Sequence, residues 1–227
     1  MNNNIGEEKI VKFNGNALTS QQVGPKILWL KNNRPEIFNK TFKIVNGTAF
    51  INSKLTGNYT TDHFSAAFVS PFYDINKQDW SNELINDLID LEQLPKLVWT
   101  DEVIGEVSAK ASKETGLAEG TIVSSGTIDA AAEAFSVGVT GSGDMMMMYG
   151  STMFFISITD SILSDSRLWY APWLFKGEHS LMGGLATSGT LTHWFKNNFA
   201  KDLQGDDIFI KLAKEAEQSP PGAKGII

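Results

Sequence analysis

Apolar side chains recur at helical spacing through much of the first half of the chain. The segment 26–30 is predicted to be helical, and 35–45 places apolar residues at helical spacing, with Pro35 at the helix start. A third helix is predicted over 49–58 and is expected to end near Gly57, because glycine favours helix C-termini.

Other segments of this half carry different patterns. Residues 1–20 are mostly polar, which predicts weak structure, and 60–73 is aromatic and loop-like. A further helix is predicted to open at Trp80, with Ser81 as its N-terminal cap.

After residue 120, short apolar runs alternate with glycine turns. Strands are predicted over 121–125, 144–149 and 153–159. The methionine run Met145–Met148 lies in the second of these. Thioethers are ligands that Cu(I) favours, but a run that leads directly into a turn is more typical of a buried strand.

One carboxylate stands at the junction of a strand and a helix. Asp129 follows the predicted strand and a turn at Gly126, and it opens a helix that includes Ala131 and Phe135. A carboxylate held at such a turn, exposed at the sheet edge, has the placement that general-base chemistry on a hydroxyl requires. The alternative is that Asp129 only caps the helix, and the local pattern leaves both open.

Two small-residue turns are candidate anion sites. Gly150, Ser151 and Thr152 form a predicted hairpin tip whose amides and hydroxyls suit a phosphate, although turns without a ligand share this pattern. A helix is predicted to begin around Gly189. Its first amides are expected to point at whatever occupies the turn, unless this is a plain capped helix.

Composition narrows the classes of function. The net charge of -7 argues against a nucleic-acid partner, which requires a basic face. The chain has no cysteine, which excludes disulfides and favours a reducing cytoplasm. No apolar run reaches the length of about 20 residues that a membrane span needs, so no membrane partner is expected. His63, His179 and His193 are too scattered to predict a metal site.

Four segments, in order, resemble the FGGY family of carbohydrate kinases. Residues 25–36 contain Pro-Lys-Ile-Leu-Trp-Leu, and 55–67 contain Leu-Thr-Gly followed by Thr-Asp-His-Phe-Ser. Residues 79–81 are Asp-Trp-Ser, and 115–121 are Thr-Gly-Leu-Ala-Glu-Gly-Thr. Each is similar to a family segment, and their order makes the resemblance specific.

The resemblance implies an α/β chain with part of the actin-like ATPase (ribonuclease H-like) fold. Residues 1–138 are expected to be the later part of a sugar-binding first domain. Residues 139–227 are expected to open a nucleotide-binding second domain, after a hinge near the glycines at 138–143.

The implied activity is ATP-dependent transfer of the γ-phosphoryl group to a small sugar or polyol, xylulose-like by family frequency. Asp129 stands where the family has its catalytic base. Gly150, Ser151 and Thr152 stand at its phosphate turn, and Gly189 and His193 fall on a second nucleotide-binding segment. ATP and Mg are the implied cofactors, and a homodimer is left open.

Family members are much longer than this chain, so the resemblance implies a central fragment that is inactive by itself. The first alternative is a truncated, inactive kinase that serves as an interaction or sugar-sensing module. A second is another member of the clan, such as an acetate kinase or a chaperone-type ATPase, against which 26–30 and the Leu-Thr-Gly segment argue.

Overall fold

The computed structural model describes residues 1–203 and 205–225. The helices are α1 (Asn2–Ile5), α2 (Glu7–Asn14), α3 (Val23–Asn33), α4 (Pro35–Phe38), α5 (Gly47–Thr56), α6 (His63–Ala66), α7 (Ala109–Thr115), α8 (Asp129–Ser136), α9 (Gly189–Phe199) and α10 (Ile208–Ala216). The strands are β1 (Thr60–Asp62), β2 (Tyr73–Asp74), β3 (Asp79–Trp80), β4 (Lys96–Val98), β5 (Val103–Glu106), β6 (Ile122–Ser124), β7 (Met145–Tyr149), β8 (Met153–Thr159), β9 (Trp169–Pro172) and β10 (His179–Leu185).

The largest sheet has the strand order β7-β8-β10-β9. Strands β1 and β4 form a parallel pair in which Thr60 is opposite Lys96 and Asp62 is opposite Val98. The pairs β2–β3 and β5–β6 are antiparallel. This mixture of helices with parallel and antiparallel strands confirms the predicted α/β class.

The main core packs helices α6 and α8 with the strands of the largest sheet. Phe64 of α6 meets Trp173 edge to face, with 5.6 Å between ring centroids. Ala131 and Ala134 of α8 belong to the same cluster, as does Ile156 of β8. These side chains are fully or almost fully buried, and removing apolar surface from water is the main stabilising contribution to such a core.

Two helix predictions are confirmed. Residues 26–30 lie within α3, and α5 ends at Thr56 with Gly57 as its C-terminal cap. Gly57 has φ +83°, in the left-handed region that glycine adopts at low cost.

Three predictions about the first half are wrong. Helices α1 and α2 occupy much of 1–20, because Ile10 and Phe13 are buried against the rest of the fold. The segment 60–73 contains buried β1 and α6 instead of a loop. The segment 35–45 is helical only over α4.

The helix predicted at Trp80 is also wrong. Trp80 ends β3, and its indole Nε1 donates to the carbonyl of Pro95 at 2.7 Å. The amide of Ser81 donates to the carbonyl of Phe72 at 2.8 Å, so the chain follows a strand pairing there. A nonlocal partner therefore overrides the local capping signal.

All three strands predicted after residue 120 are present, as β6, β7 and β8. The methionine strand β7 is not buried, however: Met145, Met147 and Met148 are 54%, 45% and 39% exposed. Among the described residues, β8 is the only strand that pairs with β7, so β7 lies at a sheet edge.

The chain divides into two compact units. Unit 1 comprises Met1–Met148 and Phe154–Gly184, and unit 2 comprises Tyr149–Met153 and Leu185–Ile227. The domain boundary near residue 138 stays a prediction. Within the described part of the chain, no helix is both long and apolar enough to cross a bilayer.

Candidate functional site

Asp129 is the first residue of α8, directly after a strand and a tight turn. Strand β6 ends at Ser124, and the turn passes through Gly126 at φ +65°, where glycine is favoured. The N-terminal cap is Ile128, so Asp129 is not the cap that the local pattern allowed. The predicted strand-turn-helix arrangement is confirmed.

The Asp129 side chain is exposed. Its Oδ1 accepts from the amide of Ala130 at 2.8 Å. A carboxylate in the first turn of a helix is favoured by the partial positive charge of that helix end. One carboxylate oxygen is thus held by the adjacent backbone amide, and the exposed side chain is accessible to a ligand.

Side chains from distant parts of the sequence hold the turn before Asp129. The hydroxyl of Thr127 donates to Asp62 Oδ2 at 2.9 Å. The hydroxyl of Thr48 donates to the carbonyl of Thr127 at 3.2 Å, and Asn52 Nδ2 donates to the carbonyl of Ser125 at 2.8 Å.

Backbone hydrogen bonds hold the same turn from another direction. The amide of Ser125 donates to the carbonyl of Glu102 at 3.0 Å, and the amide of Gly126 donates to the carbonyl of Thr100 at 3.2 Å. Ile128 packs against the main core. The turn is therefore fixed through side chains, backbone and an apolar anchor.

Asp62 is the acidic residue of this site that sequence reasoning missed. It is 1% exposed, caps α6, and accepts from the amide of Ser65 at 3.1 Å through the same Oδ2 that binds Thr127. Burial raises the pKa of Asp62, and the hydrogen bonds from Ser65 and Thr127 act in the opposite direction. The sequence could have indicated Asp62, because this residue lies within 55–67, one of the segments that carry the resemblance.

In unit 2, the turn Gly150–Thr152 and the start of α9 lie together. The amide of Gly150 donates to the carbonyl of Thr152 at 2.9 Å. The amide of Gly189 donates to the carbonyl of Gly150 at 2.9 Å, and that of Ser188 donates to the carbonyl of Ser151 at 2.8 Å. The structure thus brings four of the predicted site residues to one place.

Gly189 is required by close packing. A Cβ atom at Gly189 would lie 2.8 Å from the carbonyl oxygen of Gly150, closer than a real Cβ approaches a backbone atom. Because the amides of Ser188 and Gly189 bind carbonyls of the turn, the expectation that they point at a ligand is wrong. The exposed side chains of Ser151 and Thr152 still present hydroxyls to solvent.

His193 lies one helical turn after Gly189 on α9, so the two residues share a face. Its ring meets Phe209 of α10 edge to face, with 4.9 Å between centroids. His193 is exposed.

The residues present suit a phosphate better than a metal. Across residues 1–203 and 205–225, no group of three or more His, Cys, Asp or Glu side chains is arranged to hold an ion. The hydroxyls of Ser151 and Thr152 are groups that donate hydrogen bonds to phosphate oxygens.

A cavity of about 210 Å³ lies beside the turn in unit 1, lined in part by Ile128, Thr61 and Ser65. Most of its lining is apolar. We assign no ligand to this cavity.

Comparison with known proteins identifies relatives of this fold. The sequence-family model for the N-terminal domain of the FGGY family of carbohydrate kinases matches residues 1–136. The chain is 28% identical over 206 residues to a xylulose kinase of Bacillus subtilis and 30% identical over 206 residues to one of Lactococcus lactis. Each alignment covers 89% of this chain and 40% of the relative.

A solved structure has the same fold. The crystal structure of xylulose kinase from Rhodospirillum rubrum matches with a TM-score of 0.88 and 28% identity, over 98% of this chain and 46% of that protein. The chain thus has part of the actin-like ATPase fold and spans less than half the length of these relatives. Since the family match covers more than half of its residues, the chain belongs to the FGGY family of carbohydrate kinases.

Proposed function

We propose that the protein containing this chain transfers the γ-phosphoryl group of ATP to a hydroxyl of a small, xylulose-like sugar or polyol. Membership of the FGGY family supports the reaction class. Relatives named xylulose kinase, at 28% and 30% identity, support a xylulose-like sugar. The observation that carries the proposal is the exposed carboxylate of Asp129 on a turn fixed from several sides.

Asp129 acts as the general base. Its carboxylate accepts the proton of the sugar hydroxyl as that oxygen attacks the γ-phosphorus. A new O–P bond forms, the bond from the γ-phosphorus to the bridging oxygen breaks, and ADP leaves. Phosphoryl transfer depends mainly on alignment and charge neutralisation, so one well-placed base is sufficient on the sugar side.

The turn Gly150–Thr152 binds phosphate oxygens through the hydroxyls of Ser151 and Thr152. Gly189 supports this turn by allowing α9 to approach it, and His193 flanks it from the same helix. When bound, ATP supplies the phosphoryl group and brings Mg with it. No residue of this chain is assigned as a ligand of that ion.

The domain assignment is part of the proposal: residues 1–138 belong to the sugar-binding domain and 139–227 to the nucleotide-binding domain. The match of the N-terminal domain model, which ends at residue 136, supports this boundary. Cytoplasmic location, the absence of a nucleic-acid partner and a homodimer remain predictions.

The test uses the complete product of the gene that encodes these residues. We expect Mg·ATP-dependent phosphorylation of D-xylulose. ADP release and mass spectrometry of the phosphorylated sugar measure the reaction. Asp129→Asn is expected to lower kcat by about 10²- to 10⁴-fold, because it removes the proton acceptor. Asp101→Asn, another exposed carboxylate of unit 1, is the matched control and should leave kcat unchanged.

The 227-residue chain assayed alone is expected to show no turnover. Wild-type activity in Asp129→Asn would contradict the role of Asp129 as base. Absence of turnover by the complete product on a panel of sugars and polyols would contradict the kinase proposal. Concentration-dependent self-association without nucleotide binding would then support an interaction module.

A further inference from the structure

We infer that Asp62 and Thr127 form a positioning pair that sets the direction of the Asp129 carboxylate. The inference deepens the proposed function and rests on Asp129 being the base. The observation behind it is the hydrogen bond of 2.9 Å from the Thr127 hydroxyl to Asp62 Oδ2, between residues 65 positions apart in the sequence. Neither residue touches the reacting atoms in this view.

Few rotatable bonds separate Thr127 from the carboxylate of Asp129. Only Ile128 lies between Thr127 and Asp129, and Ile128 is both the N-terminal cap of α8 and an apolar anchor in the core. A change in the backbone direction of Thr127 is therefore transmitted to the first residue of the helix. Reacting groups lose activity steeply when they move by about 1 Å from the aligned geometry.

Packing alone does not explain why a carboxylate occupies position 62. The residue is 1% exposed, and its Oδ1 is buried without a hydrogen-bond partner among the described residues. A buried polar side chain with an unmatched oxygen costs free energy, which an apolar residue would avoid. What the carboxylate provides is one oxygen that accepts from Ser65 and Thr127 together, joining α6 to the turn.

Thr127 is held at two atoms by two different elements. Its hydroxyl binds Asp62 at the end of β1, and its carbonyl accepts from Thr48 on α5. Asn52, one turn further along α5, binds the carbonyl of Ser125. A catalytic side chain requires neighbouring residues whose own positions are fixed, and hydrogen bonds to both the hydroxyl and the carbonyl fix Thr127 in this way.

Removal of the Thr127 hydroxyl should therefore misalign the base while the fold remains. In the complete gene product, we expect Thr127→Val to lower kcat by about 10- to 100-fold and to change the sugar KM far less. Thr127→Ser restores the hydroxyl and should recover most of kcat. Asp62→Asn keeps an oxygen that accepts both hydrogen bonds and should retain kcat, whereas Asp62→Ala should behave like Thr127→Val.

Two further variants separate positioning from folding. Thr121→Val is the matched control, because its exposed hydroxyl binds, among the described residues, only the nearby carbonyl of Ala118. It should leave kcat unchanged. Thr127→Val added to Asp129→Asn should cause no further loss, since the two residues act as one unit. Thermal unfolding of each variant reports whether the protein is folded in the assay.

The outcomes distinguish this inference from the proposed function. If the wild-type protein is active and Asp129→Asn is not, but folded Thr127→Val has the wild-type kcat, the positioning role is overturned alone. Failure of Thr127→Ser to recover activity also overturns it. If the wild-type protein phosphorylates no sugar, the proposed function is overturned and the positioning role with it.

Discussion

At the residue scale, two adjacent ionisable side chains, Asp62 and His63, are buried. Burial raises the pKa of Asp62 and lowers that of His63, because loss of water disfavours the charged form of each. The negative charge of Glu102 acts against this shift at His63 but is the smaller effect. His63 is also stacked on Trp99, at 4.2 Å between ring centroids, and its Nδ1 is 2.8 Å from the hydroxyl of Tyr73.

His63 should make stability fall on acidification. Its unfolded pKa is near 6.5 and its folded pKa is lower, so the unfolded state binds a proton first. The stabilising contribution is complete above about pH 6.5 and is lost as the pH falls towards the folded pKa. We expect His63→Gln to reduce the loss of unfolding free energy between about pH 7.5 and about pH 5.5, measured by urea titration.

Tyr73→Phe is the control for this prediction, because it removes the hydrogen bond to His63 and keeps the titrating ring. It should retain the pH dependence of the wild type. Asp62 has a raised pKa and so contributes in the opposite direction, but it is present in both proteins and cancels in the comparison. An unchanged pH dependence in His63→Gln would contradict the prediction.

At the element scale, helix α5 is fixed at both ends and carries two of the side chains that hold the Asp129 turn. Asn46 Oδ1 accepts from the amide of Ala49 at 2.8 Å, and Gly57 closes the C-terminal end. Thr48 and Asn52 lie one helical turn apart, so they face the turn from the same side. The caps thus support the site as well as the helix.

Removal of the N-terminal cap should destabilise the protein by a measurable amount. Asn46→Ala leaves a helix amide without its acceptor and is expected to lower the unfolding free energy by about 1 kcal/mol. Asn46→Asp keeps an acceptor at the same position and should cost much less. Urea unfolding of the three proteins at one pH measures the difference, and equal stability of all three would show that the cap contributes nothing.

At the scale of the whole molecule, the two compact units differ in how much apolar surface they bury. Unit 1 contains the main core and a second apolar cluster. In the described residues of unit 2, Ala200 and Ile208 are the buried apolar side chains. Several large apolar side chains of α9 are exposed, with Trp194 at 53% and Phe199 at 66%.

This difference predicts unequal local stability. Amides of α9 and α10 should exchange with deuterium sooner than those of β8 and α6, because local opening of unit 2 exposes little additional apolar surface. Hydrogen exchange of the 227-residue chain, followed by mass spectrometry of its peptides, measures this order. Equal protection of the two units would contradict the prediction.

The sequence by itself determined the features that depend on neighbouring residues. The strand, glycine turn and helix around Asp129 are local, as are the end of α5 at Gly57 and the turn at Gly150. Four short segments in order were sufficient to indicate the family, which the match over 1–136 confirms. In these cases the backbone preference of a few adjacent residues agrees with the final fold.

Only the tertiary structure decided the features that depend on distant partners. Trp80 ends a strand because Pro95 and the 72–74 segment provide its partners, and residues 7–14 are helical because the fold buries Ile10 and Phe13. Thr48 and Asp62 hold Thr127 across 79 and 65 positions of sequence. Contacts over such distances form only when the whole chain folds, because local propensity is weak beside burial and long-range hydrogen bonding.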